Sequence, residues 1–300
     1  MSLSVTTTYS GKKAGKYISA ALLNANTIAN GGVRVMKNIK FKAVVRRIQT
    51  SGLIQDNSCD FTKSGAVTKT EVIIEPKRLK VNLEMCKDAL RDDWDGDDMG
   101  DGLFDSLPKE FQDHVISQIL GEIAKATELN IWEGTKGTGT FNGLHTLAAA
   151  HSDTVKVTGH AVITATNVVA ELGKVVDLIP PAIYNNPDLK IYVSQYVQKL
   201  YVRALGNKSN EVANNQNLKN GLQVDGVNLF VANGLQGGNM VATVKDNLVF
   251  GTGLQNNFNK VQVIDMEKDG EENVRFIVKY TADTQLSIPE QIVVRSTKVA

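Results

Sequence analysis

The chain is poor in aromatic residues, in cysteine and in long apolar runs. Aromatic residues make up 6% of its 300 residues while 42% are apolar, which predicts a sizeable, mostly aliphatic core. Two cysteines, Cys59 and Cys86, indicate no disulfide framework and favour a reducing compartment. No run of about 18 apolar residues is present, so we expect no membrane span, and the first residues lack the apolar segment of a secretory signal.

The net charge of +1 hides an uneven distribution of charge along the chain. Residues 1–90 contain 15 Lys/Arg and 6 Asp/Glu. Residues 91–135 contain 3 Lys/Arg and 12 Asp/Glu, and the rest of the chain contains 15 Lys/Arg and 14 Asp/Glu. A basic first third and an acidic segment can pair between subunits, or they can be two separate solvated surfaces. The near-neutral total argues against nucleic acid as the main partner, although the basic third can contact phosphates.

The first third has little apolar surface to bury by itself. Residues 1–32 are small and polar and predict an extended arm, with a short helix at 18–28. Residues 33–50 alternate apolar and basic side chains, and 67–83 form a second extended run that Pro76 interrupts. The two runs predict a long basic hairpin, which needs a partner surface because a lone hairpin is marginally stable.

The longest segment of helical period is residues 107–132, the predicted spine helix. Its spacing predicts one narrow apolar stripe, with Glu128 among the polar residues elsewhere on the surface; the stripe residues are Phe111, Val115, Ile119, Ile123 and Ala126. Ser106 is a candidate cap and Pro108 fits the first turn. Glycines at 134, 137, 139 and 143 follow, which favours a tight connection with positive φ angles over a phosphate-binding loop.

The rest of the chain mixes helices with strands and then becomes largely β. Helices are predicted at 167–178 and 195–205, with a strand at 189–194 between them and an asparagine-rich loop afterwards. Further strands are predicted at 222–231, 240–250, 258–266, 274–280 and 288–294. The fold class is therefore α+β.

Few residues have the spacing of a known metal or catalytic site. Asp93, Asp95 and Asp97 begin like a calcium-binding loop, but Asp98 and Phe104 stand where that loop needs glycine and glutamate. An acidic turn before a helix N-terminus is the alternative interpretation.

Three histidines are equally weak as a site. His145, His151 and His160 are a conceivable zinc set without a known ligand spacing. We expect no catalytic residue, metal or cofactor.

Several stretches, taken in order, resemble the major capsid proteins of tailed bacteriophages, which have the Hong Kong 97-type fold. They are EVIIEPKRLKVNLEMCKDAL, NIWEGTKGTGTFNGL, VVDLIPPAIYNNPDLKIYVSQYVQKLYVRAL, and the closing strands NLVFGTGLQNNF and RFIVKYTADTQLSIPEQIVV. The resemblance implies the following domains: an N-terminal arm at 1–32, an extended hairpin loop at 33–85, a peripheral domain at 86–160, an axial domain at 161–250 and return strands at 251–300.

The resemblance also implies a function. The chain would form pentamers and hexamers of an icosahedral virion shell that encloses double-stranded DNA without sequence-specific binding, assembled in the host bacterial cytoplasm and without a membrane. A separate scaffolding protein, a portal and a decoration protein are possible partners. Lys63 is a possible counterpart of the lysine that some family members cross-link, but the asparagine and glutamate of that reaction cannot be aligned with this sequence, so we do not infer cross-linking.

Two other functions stay open: an encapsulin-like bacterial compartment, and an Asp-rich metal-dependent enzyme. For a shell, the charge pattern predicts contacts between a basic set on one subunit and an acidic set on another. The basic candidates are Arg46, Arg47, Lys63, Lys77, Arg78 and Lys80, and the acidic candidates are Asp92, Asp93, Asp95, Asp97, Asp98 and Asp101.

Overall fold

The structure is a computed structural model that describes residues 8–10, 26–57, 59, 63–86, 109–208, 222–253, 260–266, 271 and 273–297. The predicted cap Ser106, Pro108, the acidic candidates at 92–101 and most of the asparagine-rich loop lie outside these ranges. Within them the helices are α1 Asn26–Ala29, α2 Lys109–Glu133, α3 Leu144–Ala150, α4 Val168–Asp177, α5 Pro181–Tyr184 and α6 Gln195–Lys208. None of these helices is long and apolar enough to cross a membrane.

The described strands form three sheets. In chain order they are β1 Thr8–Ser10, β2 Arg34–Met36, β3 Ala43–Ser51, β4 Ala66–Ile74, β5 Lys77–Cys86, β6 Val155–Lys156, β7 Leu189–Val193, β8 Gln223–Val224, β9 Val227–Val231, β10 Met240–Val244, β11 Leu248–Thr252, β12 Lys260–Asp265, β13 Asn273–Leu286 and β14 Val293–Arg295. The mixed order of helices and strands confirms the predicted α+β class.

The first sheet is built around β13, which has 14 residues. Its order is β1–β12–β13–β11–β2, and β5 pairs with the opposite edge of β13 from Asn273–Cys86 to Ala282–Lys77. The spine helix α2 packs into the same core as this sheet, through Ile116, Ile123 and Trp132.

The second sheet has the order β6–β14–β10–β7–β9–β8. Helices α4 and α6 pack in its core with buried aliphatic side chains such as Leu172, Val175 and Val197. These helices and the strand β7 lie where the sequence places them, because each has a clear period and a proline pair, 180 and 181, separates the first helix from the strand.

Two predicted strands are each divided in the structure. The run 222–231 is a hairpin, because Asp225 and Gly226 adopt φ angles of 47° and 82° and form a two-residue turn. The run 240–250 contains a 3₁₀ helix, Lys245–Asn247, so that β10 belongs to the second sheet and β11 to the first. The chain therefore crosses from one core to the other at 245–247.

The predicted hairpin is formed by β3 and β4, which pair over nine residues. The second half of its basic run is not part of the hairpin. Glu75 and Pro76 separate β4 from β5, and β5 pairs with β13 instead. Pro76 lies at this break because it has no N–H to donate to a ladder.

The spine helix is confirmed over Lys109–Glu133, but its predicted apolar stripe needs correction. Ile119 and Ile123 are buried, whereas Ala126 is exposed. The buried face continues instead through Ala124, Thr127, Glu128, Ile131 and Trp132. It is wider than predicted because the helix is covered by both the first sheet and the segment that begins at Asn26.

Candidate assembly surfaces

The hairpin presents apolar side chains to solvent. Alternate strand residues share a face, which places Val44, Ile48, Val67 and Ile73 on the same face as the charged residues Arg46, Lys69 and Glu71. Their exposed fractions are 40%, 67%, 68% and 53%, and Ile54 in the connecting loop is 98% exposed. A two-stranded hairpin has no second layer to cover such a face, so this surface is available to a partner.

The root of the hairpin is fixed to the subunit. Ile74 is fully buried in a small cluster with Ile39 and Val249. The Glu75 N–H donates to Asp283 Oδ2 at 3.2 Å, and Gln285 Nε2 donates to the Ile73 carbonyl at 3.1 Å. Burial raises the pKa of Asp283, although the N–H groups of Glu75 and Thr284 favour its ionised form. The hairpin is thus held at its base, and its far end is exposed.

The structure places three of the basic contact candidates beside partners in their own subunit. Arg46 Nε lies 3.2 Å from Glu71 Oε1, and Arg47 Nη2 lies 2.9 Å from Glu290 Oε2. Lys77 Nζ donates to the Thr140 carbonyl at 3.1 Å and also to the Gly137 carbonyl. The first pair joins the two strands of the hairpin, the second joins the hairpin to Glu290 in the rest of the subunit, and Lys77 holds the turn after the spine.

The other basic candidates, Lys63, Arg78 and Lys80, are exposed. Lys63 follows the hairpin loop, and the other two lie on β5. The acidic candidates lie outside the described residues, so the pairing between subunits stays a prediction.

A buried polar cluster joins the N-terminal part of the chain to the spine. The Thr27 N–H donates to Glu128 Oε2 at 3.0 Å, and Thr27 Oγ1 donates to Glu128 Oε1 at 2.5 Å. Trp132 Nε1 donates to Thr27 Oγ1 at 2.7 Å, and the Tyr192 hydroxyl donates to the Gly32 carbonyl at 2.5 Å. Residues 26–32, which the sequence assigns to an arm with little core, are therefore attached to the core of their own subunit.

Glu128 was expected on the surface, but only 5% of it is exposed. Glu128 lies off the apolar stripe that the helical period predicts, so exposure was expected. No local sequence pattern indicates its distant hydrogen-bond partner, Thr27. The signal that the sequence does contain is Trp132, an aromatic one turn further along, whose indole N–H needs an acceptor when buried.

The glycines after the spine allow main-chain segments to approach closely. A Cβ on Gly143 would lie 2.3 Å from the Trp132 carbonyl oxygen, and one on Gly134 would lie 2.3 Å from the Phe141 carbonyl oxygen. Gly234, in the loop after β9, would place a Cβ 2.0 Å from the Glu128 carbonyl oxygen. Positive φ, predicted for this connection, is confirmed at Gly139, where φ is 75°. Close packing around the spine end explains the other glycines.

A buried ion pair ties the last strand to α4. Arg295 is fully buried, and its Nη2 lies 3.0 Å from Glu171 Oε2. The same guanidinium donates to the carbonyls of Ala161, at 2.6 Å, and Gly238. Lys174 Nζ donates to Glu171 Oε1 at 2.7 Å. Two N–H groups of Arg295 donate to Glu171 Oε2, and Lys174 binds the other oxygen, so these hydrogen bonds compensate both charges for the loss of water.

The candidate histidines are not brought together as metal ligands. His145 is buried with its Nδ1 3.3 Å from Glu133 Oε2, and Asn239 Nδ2 donates to the same carboxylate at 2.7 Å. His151 Nδ1 accepts the Asp153 N–H, and His160 Nδ1 lies 3.2 Å from the Val157 carbonyl. Across the described ranges, no three His, Cys, Asp or Glu side chains are grouped as a metal site.

Comparison with known proteins identifies the fold. No protein family and no curated protein matches the chain. A chain of the satellite phage P4 procapsid, in a structure that includes the size determination protein, is 10% identical with a TM-score of 0.58, over 94% of this chain and 98% of that one. A chain of Gordonia phage Cozz has a TM-score of 0.59 at 10% identity, over 92% of this chain and 87% of that one. A chain of a virus-like particle from Pyrococcus furiosus has a TM-score of 0.54 at 12% identity, over 95% of this chain and 99% of that one.

The chain has the α+β fold of phage capsid proteins, as the sequence resemblance implied. The likeness covers 92–95% of this chain and 87–99% of the other chains in these three comparisons. Because the sequence identities are only 10–12%, this likeness by itself shows a shared fold and carries no statement about function.

Proposed function

We propose that the chain is the major structural subunit of an icosahedral phage capsid, and that it assembles into pentamers and hexamers around double-stranded DNA. The observation that carries this proposal is the fold likeness over 94% of this chain and 98% of a procapsid chain. A function is set by surfaces as well as by fold, so the surfaces of this chain must also be suited to assembly.

The apolar face of the hairpin supports such a role. Val44, Ile48, Val67 and Ile73 form a face that the subunit itself leaves uncovered. A second copy of the chain is the partner that we propose for it, because neighbouring copies are the most abundant partners of a subunit in a shell made of one chain. Burial of such β-branched side chains contributes about 1.5–3 kcal/mol each.

Charge complementarity is the second part of the proposed contact. We propose that the exposed cations Lys63, Arg78 and Lys80 of one subunit contact the acidic residues around Asp92–Asp101 of another. Arg46 and Arg47 join this contact only if they exchange their partners Glu71 and Glu290. Since exposed charges are screened beyond ~8 Å at physiological ionic strength, assembly should weaken as salt is added.

Substitutions on the hairpin test the apolar contact. Ile48→Lys and Ile54→Lys place a charge where the neighbour would bury an apolar side chain, and we expect at least about a tenfold loss of assembled material, which corresponds to ~1.4 kcal/mol per contact. Sedimentation velocity measures the assembled fraction. Thermal unfolding of the unassembled subunit should not change, because both positions are exposed.

The control for this experiment is Thr68→Lys, which adds the same charge at an exposed position on the opposite face of the hairpin. It should assemble as the parent chain does. If Ile48→Lys and Ile54→Lys assemble as well as Thr68→Lys, the hairpin face is not a contact between subunits.

A second candidate function is an encapsulin-like bacterial compartment, which shares the fold. The likeness to the Pyrococcus furiosus virus-like particle, over 99% of that chain, favours keeping it. The contents of purified particles separate the two functions. Packaged double-stranded DNA supports the capsid, and a folded protein cargo without DNA supports the compartment.

The proposal extends to the partners that a capsid needs. A separate scaffolding protein, a portal and a decoration protein are the candidate partners, and we propose assembly in the host bacterial cytoplasm and a final location in the virion. The role is structural, and no cofactor is required for it.

A further inference from the structure

Residues 33–50 contain six Lys/Arg and no Asp/Glu, and the structure separates these cations into two groups. Three of them form ion pairs within the chain: Lys42 with Glu75 at 3.3 Å, Arg46 with Glu71 at 3.2 Å, and Arg47 with Glu290 at 2.9 Å. The other three, Arg34, Lys37 and Lys40, are exposed. Within the described part of the chain they have no carboxylate partner.

These three cations lie on a short segment that the fold holds firmly. Arg34 lies on β2, which pairs with β11 and is the edge of the first sheet, and Lys37 and Lys40 follow in the turn toward β3. Val33 and Ile39 are 2% and 6% exposed, and the Ile39 N–H donates to the Thr252 carbonyl at 3.3 Å. The buried side chains anchor the segment, and the basic ones extend to solvent.

The charge around this segment is positive after neighbouring carboxylates are counted. The 3₁₀ helix that packs beside β2 contributes Lys245 and Asp246, which cancel. Glu75 compensates Lys42. Three positive charges therefore remain over seven residues, a distance of at most roughly 20 Å at ~3.3 Å per residue.

We propose that Arg34, Lys37 and Lys40 form a binding surface for the phosphodiester backbone of nucleic acid. A nucleic acid strand carries one negative charge about every 3.4 Å, so this segment matches several phosphates at once. The three side chains are point charges on an exposed edge, without a shaped pocket for bases, so the binding is independent of sequence. The near-neutral net charge of the whole chain is compatible with this, because a local excess of charge is enough for phosphate contact.

An acidic protein segment is the competing partner for a basic surface. Phosphate is favoured here because a nucleic acid backbone presents evenly spaced charges to all three cations at once. The segment offers two solvated ammonium groups, of Lys37 and Lys40, and the guanidinium of Arg34, and both kinds of group bind phosphate oxygens. The proposal rests on the proposed function only for the source of the nucleic acid, which would be the enclosed DNA.

The test compares two charge-matched variants of the full chain. One replaces Arg34, Lys37 and Lys40 with Gln, and the control replaces Lys156, Lys199 and Arg203, which are exposed on the second sheet and on α6. Binding of unassembled protein to mixed-sequence duplex DNA is measured by fluorescence anisotropy at several salt concentrations. The plot of log K, the logarithm of the binding constant, against log salt has a negative slope. Its magnitude should decrease by about 2.7 in the first variant, since each lost phosphate contact removes about 0.9. The control should keep the parent slope.

Each result decides the matter. A parent chain that does not bind duplex DNA at low salt, or equal losses in the two variants, overturns the proposal. Competition by poly-glutamate as strong as by unlabelled DNA also overturns it and indicates an acidic protein partner. Assembly is scored separately by sedimentation, so that failure to form shells with intact DNA binding counts against the proposed function alone.

Discussion

Glu128 and Glu171 are carboxylates that the fold buries, and each is held by donors from distant parts of the chain. Glu128 receives both donors of Thr27, which lies 101 residues earlier. Glu171 receives Arg295, 124 residues later. A buried carboxylate without such donors would cost several kcal/mol, so these residues fix where the two ends of the described chain lie on the subunit.

Thr27→Val tests the cluster at the spine end. The substitution keeps the shape but removes the hydroxyl, which leaves the buried Trp132 N–H without its acceptor and Glu128 with one donor fewer. We expect a loss of about 2–3 kcal/mol in the free energy of unfolding, measured by chemical denaturation of the unassembled subunit. Thr70→Val, on the exposed hairpin, is the control and should have no effect; a matching loss there would refute the assignment.

The pH dependence of stability tests the Glu171 pair. Burial raises the pKa of Glu171. Hydrogen bonds from Lys174, the Ala161 main chain and Arg295, together with the Arg295 charge, lower this pKa by more than burial raises it, so that it lies below its ordinary value of 4.5. Because the folded pKa is depressed, this pair stabilises the fold above pH 4.5, and its contribution is lost as the pH falls through the folded pKa.

Glu171→Gln should therefore cost about 3–5 kcal/mol at neutral pH, because it leaves the buried Arg295 charge uncompensated. The difference from the parent chain should shrink below pH 4.5. Denaturant unfolding at a series of pH values measures it. A difference that stays constant with pH, or one as small as that of Glu122→Gln on the exposed spine face, would contradict the role of the pair.

At the scale of elements, the sequence predicts what is periodic and local. The spine, α4, β7 and α6 are found where their periods and prolines place them. The hairpin turn at Asp225 and Gly226 was missed although Asp-Gly is a strong turn signal, because the apolar run around it reads as one continuous strand.

Other features depend on contacts that no local pattern contains. The crossing at 245–247 separates two apolar strands of similar composition, and only the two cores assign them to different sheets. The burial of Glu128 depends on Thr27 in the same way. The role of the candidate contact residues stays a prediction, and the sequence could not tell that Arg46 and Arg47 form ion pairs within the subunit.

The glycines at the spine end give a prediction for this junction. Gly143→Ala would place a Cβ 2.3 Å from the Trp132 carbonyl oxygen, so we expect a loss of about 2–3 kcal/mol in unfolding free energy. Gly121→Ala is the matched control within the spine, because nothing lies within 4 Å of its Cβ; there we expect a gain of about 0.5–1 kcal/mol. Thermal and chemical unfolding of both variants measure the effect, and equal effects would show that close approach is not the reason for Gly143.

At the scale of the whole molecule, the described chain has two cores and one part that neither core covers. The first core contains the spine and the first sheet, and the second contains α4, α6 and the second sheet. The hairpin extends from the first core with an apolar face in solvent. A subunit with rigid cores and an uncovered extension is suited to bind other copies of itself, which is the basis of the proposed shell.

Electron microscopy of the purified full-length chain tests the central claim most directly. The account predicts closed, uniform, icosahedral particles in which each hairpin lies against a neighbouring subunit. A monodisperse monomer at high protein concentration and low salt, with no capsomers or shells in the micrographs, would contradict it.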